Sequence, residues 1–154
     1  MSRSFFKISF DKFKLDISGD KCLYDGFMLP KRKTKYAAGY DFFALQDYII
    51  KPKEILKIPT GVKACMNEDE VLLLVDRSSI GFKYNVRLTN QVGVIDCDYF
   101  DNNTNEGHIW VSLQNEGDKD FIIKKGDAFC QGIFTKYLLC DDESVDFSDR
   151  IGRY

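Results

Sequence analysis

The chain reads as a series of short apolar runs and strict alternations, and no long stretch repeats with a helical period. Phe6, Ile8 and Phe10 alternate with Lys7, Ser9 and Asp11; Ile109, Val111 and Leu113 show the same period of two. That period places alternate side chains on one face and predicts half-buried strands. Residues 55–62, Ile-Leu-Lys-Ile-Pro-Thr-Gly-Val, predict a strand, a turn and the start of a second strand. Val71 to Val75 is an unbroken apolar run and predicts a buried strand. Phe121-Ile122-Ile123 and Ile133-Phe134 flank Lys124-Lys125-Gly126-Asp127, whose turn chemistry predicts a hairpin. Residues 77–83, Arg-Ser-Ser-Ile-Gly-Phe-Lys, carry no β alternation and predict a loop leading into one short helix. Many short strands separated by turns predict an all-β barrel or sandwich.

Composition narrows the picture. A length of 154 residues makes a single domain the expectation and suffices for a core without disulfide staples. The formal net charge of -2 offers no basic face for nucleic acid and no reason to expect an acidic membrane as partner, while a small anion needs only a few local donors. The five cysteines, Cys22, Cys65, Cys97, Cys130 and Cys140, are odd in number and never spaced as CxxC. They are expected to be free thiols in a reducing compartment. The first ten residues lack a long apolar run, so no secretory signal and no membrane span are expected, and a cytoplasmic location follows. Cys140 to Asp146 is acidic and weakly apolar, so residues 1–139 are expected to form the β domain and 140–154 an extended arm.

Four polar clusters carry candidate chemistry. They are Ala38-Gly39-Tyr40-Asp41, Asp76-Arg77-Ser78-Ser79, residues 93–99 (Gly-Val-Ile-Asp-Cys-Asp-Tyr) and residues 126–132 (Gly-Asp-Ala-Phe-Cys-Gln-Gly). On a strand, Asp96 and Asp98 would face the same way, and a carboxylate beside a second one can act as a general base on water. The plainer alternative is a strand end whose aspartates cap a turn. Arg77-Ser78-Ser79 at a strand-to-helix junction offers a guanidinium, two hydroxyls and backbone N–H groups to a phosphate, or else a simple N-cap serine. Gln131 lies in an apolar strand, where its amide must bond either the backbone or a ligand. His108, the only histidine, is expected to be structural or exposed, and Trp110 to be a packing or intersubunit residue.

In this order and spacing, the four clusters resemble four of the five motifs of the trimeric dUTPase family, over roughly residues 30 to 139. The resemblance implies a distorted jelly-roll β-barrel, a homotrimer and Mg2+-dependent hydrolysis of dUTP to dUMP and pyrophosphate. It further implies that Asp96 activates the water and that Asp41 holds water ligands of the Mg2+. Arg77, Ser78, Ser79 and Gln131 would bind phosphate oxygens. Asn90 and the hairpin backbone through Gly93 and Ile95 would read the uracil edge. Tyr99 would pack against the deoxyribose.

Three departures accompany the resemblance. The stretch after Tyr99, residues 100–107, is longer than a tight glycine turn and resembles a longer-loop bacterial and phage-like subgroup. Asp76 stands where a small residue or proline is usual before the arginine. The end, Asp149-Arg150-Ile151-Gly152-Arg153-Tyr154, matches only the start of the fifth motif: Arg150 and Tyr154 fall at its arginine and its uracil-stacking aromatic, without the phosphate loop that follows. Two alternatives stand beside the hydrolase. A dCTP deaminase-like enzyme would need a glutamate on the strand after the third motif, where Ser112 stands. A nucleotide-binding regulator with weakened turnover would fit the shortened fifth motif.

Overall fold

The computed structural model of the chain describes residues 2–144. The described residues include eleven short strands, three short α-helices and one 3-10 turn. The largest sheet contains β2 (Tyr40–Phe43), β6 (Glu70–Val75), β8 (Gly93–Asp96) and β11 (Ala128–Lys136), ordered β2-β11-β6-β8 with every pair antiparallel. A second sheet orders β4 (Ile55–Pro59), β9 (Trp110–Asn115) and β7 (Val86–Leu88) as β4-β9-β7. Two strand pairs complete the fold: β1 (Ser4–Lys7) with β5 (Val62–Cys65), and β3 (Tyr48–Ile50) with β10 (Phe121–Ile123).

The predicted periods hold where a strand has one buried face. Along β9, Val111 and Leu113 are buried while Trp110, Ser112 and Gln114 alternate outward. On β6, Leu72 and Leu74 enter the same core as Phe42, Ile95, Leu113 and Phe129. The 55–62 stretch folds as expected: β4, a turn at Gly61 with φ +74°, then β5. Only glycine adopts that backbone without strain.

Four expectations are corrected. The alternation from Phe6 to Phe10 does not stay a strand. Ser9 is the N-cap of α1 (Phe10–Asp16), its hydroxyl accepting from Lys12 N at 3.1 Å. The capping bond overrides the alternation, and Phe13 and Ile17 then extend Phe10 into the i, i+3, i+7 spacing of a helix face. With α2 (Lys21–Gly26) and α3 (Ser78–Tyr84), the described residues hold three short helices where one was expected. The segment at 124–127 is a turn, with Asp127 N bonded to Lys124 O at 2.9 Å, but not a hairpin. β10 pairs with β3 and β11 with β2 and β6, so this turn is a corner between sheets. Bonds from Gly126 N to Ala44 O and from Ala44 N to Asp127 O fasten it to the end of β2. Lastly, the strand carrying Asp96 ends there: Cys97–Tyr99 form a 3-10 turn, so Asp96 and Asp98 do not share a strand face.

Candidate active site

Pairing across the largest sheet builds one wall of a cleft. Asp41 on β2 lies opposite Gln131 on β11, and Gln131 opposite Val75 on β6, so the three form one row across three strands. One residue past the end of β6, Asp76 leads to Arg77, the N-cap of α3. Arg77 Nε donates to Asp41 Oδ1 at 3.1 Å and its Nη1 to the Ala128 carbonyl at 3.3 Å. Gln131 Nε2 donates to the Asp76 carbonyl at 2.8 Å. The amide therefore ties the β6–α3 junction to β11, one of the two uses expected of it.

Asp41, Arg77, Ser78, Ser79 and Gln131 line one cleft of about 370 Å3, together with Gly39 and the rim residues Lys33, Thr34 and Ala37. Ser78 and Ser79 are exposed, and neither is the N-cap, so their hydroxyls are not committed as the simple capping alternative required. Asp76 turns away from the cleft. Its Oδ1 accepts from Leu88 N at 3.0 Å, and burial raises its carboxyl above the usual carboxylate range. The rim residues were not singled out from sequence; the basic run at 31–35, directly upstream of the first cluster, was the available signal.

A second cavity, of about 260 Å3, brings Asn90, Gly93 and Ile95 together with Leu74, Trp110 and Ser112. Among the described residues its lining includes no carboxylate, and Ser112 Oγ lies 2.9 Å from Thr89 Oγ1. Among the described residues, the position where a deaminase would carry its glutamate is held by Ser112. Tyr99 is 7% exposed, its hydroxyl donating to the His108 carbonyl at 2.9 Å and accepting from Asn105 Nδ2 at 2.7 Å. His108 is structural: Nε2 accepts from Gly61 N at 2.9 Å and Nδ1 lies 2.6 Å from Asp16 Oδ2.

Asp96 does not reach the first cleft within one chain. It pairs with Val71 on β6, whereas Gln131 pairs with Val75 on the opposite side of that strand. Four residues of strand correspond to about 13 Å along the sheet, and two strand spacings to about 10 Å across it. Arg150 and Tyr154 lie outside the described residues.

The chemistry of the donors in the cleft admits a hard cation. Asp41 supplies carboxylate oxygen, and no cluster of three or more His, Cys, Asp or Glu side chains among the described residues could hold a metal by itself. One hard oxygen donor is compatible with Mg2+, which keeps several of its waters and takes only one or two carboxylates from a protein.

The sequence profile of the dUTPase family matches residues 25–152. The deoxyuridine 5'-triphosphate nucleotidohydrolase of Lactococcus lactis is 43% identical over 130 residues, covering 84% of this chain and 87% of that protein. The enzyme of the same name from Desulfitobacterium hafniense is 37% identical over 128 residues, 81% of each chain. Among solved structures, the dUTPase of Streptococcus mutans superposes with a TM-score of 0.73 at 41% identity, covering 90% of this chain and 99% of that one. A mutant dUTPase of Staphylococcus aureus phage phi11, which coordinates a structural Mg(II) ion, superposes at 0.70 and 18% identity and supports the fold alone. This chain belongs to the dUTPase family.

Proposed function

We propose that this chain hydrolyses dUTP to dUMP and pyrophosphate by attack of water on the α-phosphate, with the substrate spanning two half-sites. The carrying observation is that five residues from three separate segments, Asp41, Arg77, Ser78, Ser79 and Gln131, line one cleft in a chain of this family. Arg77 and the two serines bind phosphate oxygens and offset the charge that develops on them; Gln131 takes the α-phosphate side. Asn90, Gly93 and Ile95, gathered at the second cavity, read the uracil edge; Tyr99 is not among the residues lining that cavity, and its place against the deoxyribose rests on the family resemblance alone. Arg150 and Tyr154, which lie outside the described residues, are assigned to substrate binding by the resemblance of Asp149 to Tyr154 to the start of the family's fifth motif. Asp96 accepts a proton from the attacking water as its oxygen bonds to the α-phosphorus. The bond from that phosphorus to the bridging oxygen breaks, and pyrophosphate leaves with the electron pair. Asp41 would hold water ligands of a Mg2+ ion, which would supply charge neutralisation to the phosphates when bound.

The separation of Asp96 from the phosphate cleft supports a homotrimer in which one subunit's Asp96 serves a neighbour's cleft. Val94 on β8 and Val92 just before it are exposed and offer apolar surface for that contact; β8 pairs with β6 and β7 with β9, so the segment before Asp96 is not the hairpin expected from sequence. The five cysteines are all free thiols, in keeping with a cytoplasmic protein.

The test is turnover of dUTP with Mg2+ by wild type and Asp96→Asn. Wild type should release pyrophosphate and dUMP. The variant should keep its affinity for dUTP and lose at least about 100-fold in kcat, the usual worth of a general base. Unchanged turnover in the variant removes Asp96 from the role, and binding without turnover by wild type favours the regulatory relative.

A further inference from the structure

The triphosphate of dUTP is a dense anion, and the cleft assigned to it has little uncommitted positive charge. Arg77 is already bonded to Asp41 at 3.1 Å and to the Ala128 carbonyl at 3.3 Å. Asp41 adds a negative charge to the same wall. Further cations stand at the rim, where residues 31–35 read Lys-Arg-Lys-Thr-Lys.

Three of those four cations are engaged elsewhere. The Lys31 ammonium lies 5.9 Å from the centre of the Phe43 ring, and Lys35 lies 5.4 Å from that of Tyr36. Arg32 donates to the Lys35 and Ala37 carbonyls at 2.8 and 3.2 Å. Lys33 lines the cleft with Ser78, Ser79 and Gln131, is exposed, and makes no hydrogen bond, ion pair or ring contact with any described residue. Its loop is nonetheless held. The Arg32 bonds close it, Ala37 N bonds to Thr34 O at 3.3 Å, and reciprocal backbone bonds of 3.2 and 2.8 Å join Lys31 to Asp41. The backbone that carries Lys33 is thus fastened to the strand that carries Asp41.

We propose that Lys33 is a further substrate-binding residue, its ammonium pairing with the outer phosphates of dUTP, the part that leaves as pyrophosphate. The proposal rests on the dUTP-hydrolysing reading of the same cleft. Gln131 and Arg77 are partly buried, whereas Lys33 is exposed at the mouth, so it meets the terminal, more highly charged end of the chain. An ammonium that contacts only the outer phosphates contributes to binding of the triphosphate and not of the monophosphate product.

Lys33→Ala, Lys33→Arg and, as a control outside the cleft, Lys35→Ala test this in steady-state hydrolysis of dUTP across a salt series, with inhibition by dUMP measured alongside. Lys33→Ala should raise KM for dUTP about tenfold with kcat nearly unchanged, and flatten the dependence of kcat/KM on salt. Inhibition by dUMP should not change. Lys33→Arg should restore KM, and Lys35→Ala should behave as wild type. If wild type hydrolyses dUTP and Lys33→Ala matches its KM and salt dependence, the inference fails alone. Equal shifts in Lys33→Ala and Lys35→Ala also overturn it, because a diffuse field then explains the effect. If wild type does not hydrolyse dUTP, the parent reading fails and takes this one with it.

Discussion

A methyl group at position 39 would sit 2.0 Å from Gln131 Oε1 and 2.9 Å from its Cδ. Real side chains do not approach so closely, so the glycine is what leaves room for the Gln131 amide. The obstruction is a flexible side chain, which can swing away at small cost to the fold. Gly39→Ala should therefore melt near the wild-type temperature but lose about tenfold or more in kcat/KM, read by thermal unfolding beside steady-state kinetics. Normal kinetics would detach Gln131 from the substrate. His108 supplies a residue-scale prediction about pH. Its Nε2 accepts from Gly61 N, so Nδ1 carries the proton and donates to Asp16, and the ring is neutral. Burial is the main cause that lowers its pKa below 6.5, against the raising effects of Asp16 and Glu106; Lys12 lowers it further. In the window between the lowered folded value and 6.5, the unfolded chain binds more protons, so stability falls as pH falls. The contribution is complete above about 6.5. Urea unfolding should show this acid slope in wild type and lose part of it in His108→Gln; identical slopes would disprove the neutral buried assignment.

At the scale of elements, the long loop after Tyr99 acts as a strap. Glu106 accepts from Ser9 N and Ser9 Oγ, both at 2.6 Å, at the start of α1, and lies 3.3 Å from Lys63 Nζ on β5. Lys63 also pairs with Asp101 from the same loop. Within the loop, Asn102 and Asn105 bond each other, and Asn105 bonds the Tyr99 hydroxyl. Hydrogen bonds to a charged group contribute about 1.5–3 kcal/mol each when well formed. Because these are partly exposed, Glu106→Ala should cost about 2 kcal/mol in total and lower the melting temperature by several degrees. No change in melting would mean the strap carries no stability. The sequence revealed the extra loop length but not its destination: the partners, Ser9 and Lys63, lie 97 and 43 residues away. The Phe10–Asp16 helix was hidden for a related reason, since its first apolar residues fit both periods and only the Ser9 cap decides between them.

At the scale of the whole molecule, the two halves of the catalytic assignment lie on one sheet but in rows four residues apart along β6. If neighbouring subunits complete each other's sites, two separately inactive variants should complement. Asp96→Asn and Arg77→Ala, each nearly inactive alone, should regain a measurable fraction of wild-type turnover when mixed under conditions that exchange subunits. Their mixture staying at the sum of the separate rates would place Asp96 and the cleft within a single subunit's site.

The sequence by itself determined the strand character of β6 and β9, the junction at Arg77-Ser78-Ser79, the order of the polar clusters and hence the family. These follow from local chemistry: a period of two, a turn residue or a run of polar groups is written in adjacent positions. Tertiary structure alone decided that the 124–127 turn is a corner between sheets, that Asp76 faces β7 instead of the cleft, and that Lys33 shares a cleft with Ser78 and Gln131. It also decided that Asp96 lies away from that cleft. Each of these depends on which strand pairs with which, and pairing is settled by burying distant side chains in one core, a choice no local pattern encodes.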